Sequence, residues 1–233
     1  MNLTSILGTN YPLIQAPMAG AQDSGLAIAV SRAGALGSLP AAMLDAASLR
    51  RELQALQSSG LSAQGLRCLD VGQSTGGFTD CLLQQGAAQV VGLDVGHGQL
   101  HPRLRDDARV VCVERINARE LEVNDARVPD APQGFDLVVG DLSFISLTLV
   151  LPALLPLLKQ GGALLMLVKP QFELQPSDIG KGGLVKDEAS YVQVEARLRE
   201  ACAVLKLDVL GYWPSAIAGG DGNKEFWIGA RRA

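Results

Sequence analysis

The sequence predicts an α/β fold built on a mostly parallel, seven-stranded sheet with an antiparallel last strand. From residue 66 onwards, short apolar segments alternate with segments of helical periodicity, which is typical of strand–helix–strand units. The connection 214–224 between the last two apolar segments is short, so we expect a hairpin that reverses the final strand.

The individual elements follow from this alternation. The predicted strands span residues 66–71, 89–94, 109–113, 135–140, 163–169, 207–213 and 225–231. The predicted helices span residues 77–86, about 98–105, 147–159 and 188–205. The first 57 residues show a separate, short βαβα pattern, and small residues between 58 and 65 indicate a boundary. We therefore expect two units, residues 1–58 and residues 59–233.

Composition limits the classes of function. The formal charge of −4 over 233 residues gives no overall basic character, so contact with nucleic acid depends on local groups such as Lys181 and Lys186. Four cysteines without a C-x-x-C pair indicate free thiols in a reducing compartment, and we expect no metal site. The longest apolar segment, residues 147–158, is too short to span a bilayer, and no signal peptide is evident, so we expect a cytoplasmic protein.

The turn after the first predicted strand is the centre of the predicted site. It carries Gly72, Gly76 and Gly77 and leads into a helix. Such a turn lets backbone N–H groups face a bound nucleotide, although glycine also serves tight packing there. The second strand ends in Asp94, where a carboxylate can hold a ribose diol by two hydrogen bonds. Together, the turn and the acid predict a nucleoside-bearing cofactor.

Three charged residues are predicted at the same edge of the sheet. Asp141 follows the fourth strand and Lys169 ends the fifth, and open α/β sheets bind ligands outside the carboxyl ends of their strands. The antiparallel last strand begins at this edge, which puts Glu225 beside them. The structural alternative is a helix cap for Asp141 and an ion pair between Lys169 and Glu225. We favour a reactive site because all three residues converge.

Seven segments between residues 60 and 233 carry a recognisable set of motifs. They are 69–80 (LDVGQSTGGFTD), 94–100 (DVGHGQL), 114–119 (ERINAR), 141–146 (DLSFIS), 167–173 (LVKPQFE), 180–183 (GKGG) and 222–226 (GNKEF). This set resembles the TlyA (hemolysin A) branch of the FtsJ-type rRNA ribose 2′-O-methyltransferases. The resemblance implies a Rossmann-like fold, S-adenosylmethionine as cofactor and ribosomal RNA or a ribosomal subunit as partner.

The resemblance also implies roles for single residues. Those that would surround the cofactor are Gly72, Ser74, Gly76, Gly77, Phe78, Asp94, Asn117 and Asp141. Within this set, Asp94 would hold the ribose and Asn117 would lie near the adenine. Of the family's Lys-Asp-Lys-Glu tetrad, Asp141, Lys169 and Glu225 match the last three members. The lysine would take the proton of a ribose hydroxyl, while alignment of the reacting atoms supplies much of the rate.

Two departures from the family pattern bear on activity. Members carry an S4-type RNA-binding domain at the amino terminus, and their first catalytic lysine would fall near Arg50 or Arg51 here. Arginine stays protonated and does not replace a general base, so impaired methylation is expected. The alternative is a protein that binds S-adenosylmethionine or RNA without turnover. A hemolysin that acts on membranes is disfavoured because no long apolar or strongly basic amphipathic segment is evident.

The first 57 residues resemble a different family. Matches at residues 7–8, 11–12, 15–20 and 37–39 are similar to the amino terminus of nitronate monooxygenases, which are FMN-dependent (β/α)8 barrels. Two βα units cannot close a barrel, and the catalytic histidine of that family has no counterpart, so we do not expect flavin chemistry. We interpret the segment as a truncated leader that packs on the second unit or frays. A gene fusion and a gene-prediction artefact both remain open as its origin.

Overall fold

The computed structural model of the chain describes residues 63–122, 125–129, 131–218 and 222–233. Our predictions for the leader, for the boundary near residue 58 and for Arg50 and Arg51 lie outside these residues. The described residues form an α/β unit around one seven-stranded sheet with the strand order β3-β2-β1-β4-β5-β7-β6. The predicted fold class is therefore confirmed.

The elements have the following bounds. The strands are β1 (Arg67–Val71), β2 (Gln89–Asp94), β3 (Val110–Glu114), β4 (Phe135–Asp141), β5 (Leu158–Val168), β6 (Leu207–Ala218) and β7 (Lys224–Arg232). The helices are α1 (Gly77–Gln84), α2 (Pro102–Arg105), α3 (Leu147–Leu154), α4 (Pro170–Glu173) and α5 (Ser190–Val204). Short 3₁₀ turns lie at Ala118–Glu120, Ala131–Gln133, Leu155–Leu157, Pro176–Asp178 and Lys181–Gly183.

The sheet changes its winding direction at its centre. Strand β1 pairs in parallel with β2 on one side and with β4 on the other, so the chain winds outward in two directions from this pair. Open α/β sheets bind ligands at such a switch point, outside the carboxyl ends of the strands. Strand β7 lies antiparallel between β5 and β6, as predicted, and its first residues therefore lie at that same edge.

Two predicted helices are shorter in the structure. The helix expected from about residue 98 begins at Pro102, because His101 Nδ1 caps it by accepting the N–H of Arg103 at 3.2 Å. The helix expected over 147–159 ends at Leu154. Pro156 follows in a 3₁₀ turn and lacks the N–H that would continue the helix, so β5 starts at Leu158 instead of residue 163.

Both faces of the sheet are covered. Leu69 and Val71 of β1 belong to one apolar cluster, which includes α3 and α5, while Cys68 belongs to a second cluster with Leu82 of α1. This double burial explains why the central strands read as nearly continuous apolar runs. Among the helices in the described ranges, none is long and apolar enough to cross a membrane.

Candidate active site

The turn after β1 touches the loop that follows β4. Gly72 has a φ of +83°, and a Cβ there would lie 2.2 Å from the main-chain oxygen of Asp141. Glycine is required at this position both by the backbone conformation and by the close approach. The turn predicted to bind the cofactor thus packs directly against the first of the predicted catalytic residues.

Asp94, at the end of β2, is oriented by the same turn. Its Oδ2 accepts a hydrogen bond from the N–H of Ser74, and its Oδ1 accepts one from the N–H of Gly96, both at 2.7 Å. A carboxylate oxygen can accept a second hydrogen bond. The side chain is therefore fixed by backbone donors and retains the capacity to bind a diol.

A cleft of about 430 Å³ opens at this edge of the sheet, a volume within the range of small-molecule sites. Apolar groups from β2 and from the segment after β3 line one side of it, among them Leu93 and Ile116. Five residues of the predicted cofactor set line the cleft, namely Gly72, Ser74, Asp94, Asn117 and Asp141. The volume and the mixture of apolar walls with carboxylates suit a nucleoside-sized ligand.

The other three residues of the predicted cofactor set lie outside the cleft lining. Gly76 has a φ of +100°, and a Cβ there would lie 2.3 Å from Cδ1 of Leu104, so packing against α2 requires glycine. Gly77 is the buried first residue of α1. The Phe78 ring lies in the core, with its centroid 5.7 Å from that of Trp227. These residues shape the turn and its support, and their direct contact with a cofactor stays a prediction.

Lys169 and Asp141 meet beside the cleft. The Nζ of Lys169 forms an ion pair with Oδ1 of Asp141 and donates a hydrogen bond to Oγ of Ser143 at 3.1 Å. The Lys169 side chain is 14% exposed and that of Asp141 is 39% exposed. An ammonium group has three N–H donors, so these two contacts leave a third for a bound substrate.

Glu225 lies at the neighbouring position of the sheet. The ladder between β5 and β7 pairs Val168 with Phe226, so the next position along each strand holds Lys169 and Glu225. Glu225 is half-buried. The structure therefore brings Asp141, Lys169 and Glu225 to one edge, and their catalytic roles stay predictions.

The loop after β4 also presents an aromatic residue to which the sequence assigned no role. Phe144 is 90% exposed, has a φ of +65° and lines the cleft. Its ring centroid lies 5.0 Å from that of Phe172 in α4, the single-turn helix after β5. A bulky residue in the left-handed region is uncommon and worth explaining. The only signal in the sequence for a functional role of Phe144 is its position just beyond the end of a predicted strand.

A buried polar network lies under the cofactor turn. The fully buried Asp70 accepts a hydrogen bond from Oγ1 of Thr79 at 2.7 Å, and that hydroxyl accepts one from Nε2 of Gln73 at 2.9 Å. Burial raises the pKa of Asp70 to about 7, while the hydrogen bonds from Thr79 lower it. Sequence analysis assigned no role to Asp70 because nothing in the sequence shows how deeply this carboxyl is buried.

Fold and site together define a protein of the Rossmann-like, S-adenosylmethionine-dependent methyltransferase class. The chain belongs to the FtsJ-like methyltransferase family, whose model matches residues 53–232. A nitronate monooxygenase model matches residues 1–60, in line with the resemblance of that segment.

Similarity to individual proteins agrees with this family. The 16S/23S rRNA (cytidine-2′-O)-methyltransferase TlyA of Mycobacterium tuberculosis is 44% identical over 178 residues, which cover 76% of this chain and 64% of that protein. A Lactococcus lactis structure that carries the name hemolysin superposes with a TM-score of 0.73 at 38% identity, covering 78% of this chain and 86% of that one. An S-adenosylmethionine-dependent methyltransferase from Listeria monocytogenes shares the fold at a TM-score of 0.58 and 15% identity, covering 79% of this chain and 99% of that one. The chain thus spans slightly less than two thirds of the length of TlyA.

Proposed function

We propose that this protein transfers a methyl group from S-adenosylmethionine to a ribose 2′-hydroxyl of ribosomal RNA, with cytidine as the target nucleoside. The observation that carries the proposal is the Lys169 amino group, which Asp141 and Ser143 hold beside the cleft. The identity to TlyA supports ribosomal RNA and cytidine as the substrate. Action on ribosomal RNA in turn implies a cytoplasmic location.

The cofactor is assigned to the cleft. Asp94 would accept hydrogen bonds from the ribose hydroxyls, Asn117 would lie near the adenine, and Gly72, Ser74 and Asp141 would contact the methionine part. Support comes from the cleft lining and from the fixed orientation of the Asp94 carboxylate. When bound, S-adenosylmethionine supplies a methyl group on a positively charged sulfur.

The chain's own groups would prepare the acceptor. Lys169 would act as the base in its neutral amine form, after it has released one proton to solvent: its lone pair accepts the proton of the ribose hydroxyl, and its contacts to Asp141 and Ser143 limit the rotamers of the long side chain. Glu225, at the neighbouring sheet position, adds a second carboxylate that stabilises the cation formed by proton transfer. These two carboxylates also keep the positive charge near the place where the hydroxyl proton leaves.

RNA would enter over the exposed ring of Phe144. Sequence-selective RNA enzymes splay out a nucleotide and stack its base on an aromatic face, which contributes about 1–3 kcal/mol per base. Phe144 is exposed, lines the cleft and is backed by Phe172, so its ring can receive a base next to Lys169.

A second candidate function is binding of cofactor and RNA without turnover. It is favoured by the sequence around Arg50 and Arg51, where the family's first catalytic lysine would fall. Binding and chemistry therefore need separate measurements.

The test compares methyl transfer and cofactor binding in matched lysine variants. Transfer of labelled methyl to ribosomal subunits and to free rRNA should fall at least about 100-fold in Lys169→Met, while calorimetric binding of S-adenosylmethionine persists. Lys206→Met is the control, because Lys206 precedes the start of β6 at the opposite edge of the sheet. Binding without transfer in the unmodified protein would favour the second candidate, and absence of binding would refute both.

A further inference from the structure

The groups assigned to the reaction lie on two loops that a single buried carboxylate connects. One loop runs from Asp141, the last residue of β4, to Ser146. The other runs from Lys169, just after the neighbouring strand β5, through the single turn of α4 to Glu173. Glu173 is 4% exposed. Its Oε2 accepts a hydrogen bond from Oγ of Ser146 at 2.5 Å, and its Oε1 accepts one from the N–H of Leu147 at 2.7 Å.

These bonds lie at the first turn of α3, where backbone N–H groups have no partner within the helix. Ser146 caps the helix from its own loop by accepting the N–H of Thr148 at 3.2 Å. Glu173, from the other loop, accepts the N–H of Leu147, and its negative charge is favourable at the N-terminus of a helix. The start of α3 is thus fixed by residues from both active-site loops.

The main chain of Glu173 is also hydrogen-bonded. Arg197 of α5 donates a hydrogen bond from Nη1 to the main-chain oxygen of Glu173. Burial raises the pKa of Glu173, whereas the bonds from Ser146 and Leu147 and the charge of Arg197 lower it. The residue therefore joins α5, the Lys169 loop and the Asp141 loop at one point.

We propose that Glu173 is a positioning residue, which sets the distance between Lys169 and its partners Asp141 and Ser143. Three residues lie between Lys169 and Glu173, and two lie between Ser143 and Ser146. The segment that carries Lys169 and the segment that carries its partner Ser143 are therefore both held by the Glu173 carboxylate a few residues away. The Phe144–Phe172 ring contact bridges the same two loops. Glu173 itself does not line the cleft. This proposal rests on the function proposed above.

The kinetic test uses two substitutions at Glu173. In Glu173→Ala, kcat for methyl transfer should fall about 10- to 100-fold, because small misplacements of reacting groups cost rates of this size. The dissociation constant for S-adenosylmethionine should change much less than kcat, since Asp94 and Asn117, the predicted ribose and adenine contacts, lie outside both segments that Glu173 joins. Glu173→Gln should recover most of kcat, because its amide oxygen can accept the Leu147 N–H and its amide N–H can face Ser146. Glu195→Ala, which removes an exposed partner of Arg199, is the control.

A second measurement does not depend on activity. Hydrogen exchange of peptides covering residues 141–149 and 169–175 should accelerate in Glu173→Ala and in the milder Ser146→Ala, and should return towards the unmodified rate in Glu173→Gln. Unchanged exchange in both Glu173→Ala and Ser146→Ala would contradict a positioning role for Glu173. Equal losses of kcat in Glu173→Ala and Glu173→Gln with unchanged exchange would contradict it too. If the unmodified protein binds S-adenosylmethionine but transfers no methyl group, the proposed methyltransferase activity is refuted. The hydrogen-exchange rates still test whether Glu173 holds the two loops together.

Discussion

Gly72 and Asp141 lie in direct contact at the ends of two neighbouring strands: Gly72 follows β1, Asp141 ends β4, and a Cβ on Gly72 would lie 2.2 Å from the Asp141 main-chain oxygen. This contact joins the predicted cofactor turn to the predicted catalytic loop. It makes Gly72 sensitive to the smallest possible side chain.

We expect Gly72→Ala to destabilise the protein by about 2–4 kcal/mol and to weaken binding of S-adenosylmethionine, because the added methyl group forces the two loops apart. Chemical denaturation and calorimetry measure these effects. Gly161→Ala is the matched control, since Gly161 also has a positive φ of 72° but has open space around its Cβ position. Equal losses in both variants would show that backbone strain alone is responsible.

Asp94 is expected to dominate recognition of the cofactor's ribose. Asp94→Asn removes the charge and one of the two oxygens that accept the N–H groups of Ser74 and Gly96, so affinity for S-adenosylmethionine should fall about 10- to 100-fold. Calorimetry with S-adenosylhomocysteine checks the result without turnover. Glu114→Gln provides the comparison, because Glu114 accepts the N–H of Gly98 at the end of β3 but does not line the cleft. A smaller effect at Asp94 than at Glu114 would argue against the assignment.

The exposed ring of Phe144 should matter for RNA and not for stability. Phe144→Ala should reduce kcat/KM for the RNA substrate about 5- to 150-fold, the range expected for one lost base stack. Thermal unfolding should be unchanged, because the ring is 90% exposed. Phe144→Trp should retain activity, and Val204→Ala, at another exposed apolar residue, should have no effect. Full activity of Phe144→Ala would exclude stacking at this position.

Lys181 begins a 3₁₀ turn (Lys181–Gly183) that is held by Asn223, the residue before β7. The buried Asn223 accepts the N–H of Val185 and donates to the main-chain oxygen of Gly183, both at 2.9 Å, which fixes the turn that bears Lys181. We expect Lys181→Ala to weaken RNA binding and to reduce the slope of log affinity against log salt by about 1. Lys206→Ala serves as the control for general charge, and an unchanged slope in Lys181→Ala would mean that no phosphate is contacted there.

Asp70 gives stability an unusual dependence on pH. Its pKa of about 7 in the folded protein lies above the ordinary value, so the folded state binds the additional proton and stability falls as pH rises from about 4 to about 7. Asp70→Asn removes this titration and should be more stable than the unmodified protein at pH 8, by at most about 4 kcal/mol, with little difference near pH 4. Urea denaturation at several pH values measures the difference. A stability difference between Asp70→Asn and the unmodified protein that stays constant with pH would contradict the raised pKa of Asp70.

Much of this architecture could be predicted because buried parallel strands leave a strong apolar pattern. The seven strands, the reversed last strand and the convergence of Asp141 with Lys169 follow from strand ends and winding alone. The ends of helices were harder to predict. Local chemistry at His101 and Pro156 decides where α2 begins and where α3 stops, and periodicity does not report it.

The site was predicted less completely because loop conformation decides it. Backbone angles such as the positive φ of Phe144 determine three features of the site. These are the hydrogen bond from Lys169 to Ser143, the exposure of Phe144 and the hydrogen bonds that Glu173 accepts. A glycine in a sequence likewise does not reveal which part of the folded chain packs against it. The same motif contains Gly72, which packs against the catalytic loop, and Gly76, which packs against Leu104.

The reversal of winding at the β1–β4 pair separates the predicted cofactor residues from the predicted catalytic residues along the chain. The predicted cofactor residues Gly72, Ser74, Asp94 and Asn117 all precede β4, whereas the predicted catalytic residues Lys169 and Glu225 follow it, and Asp141 is the last residue of β4. Every residue that lines the cleft precedes residue 151, so the predicted catalytic residues Lys169 and Glu225 can be exchanged without altering the lining. A graft that exchanges residues 158–232, from the start of β5 to the end of β7, for those of a relative should consequently change acceptor selectivity while every residue that lines the cleft is kept.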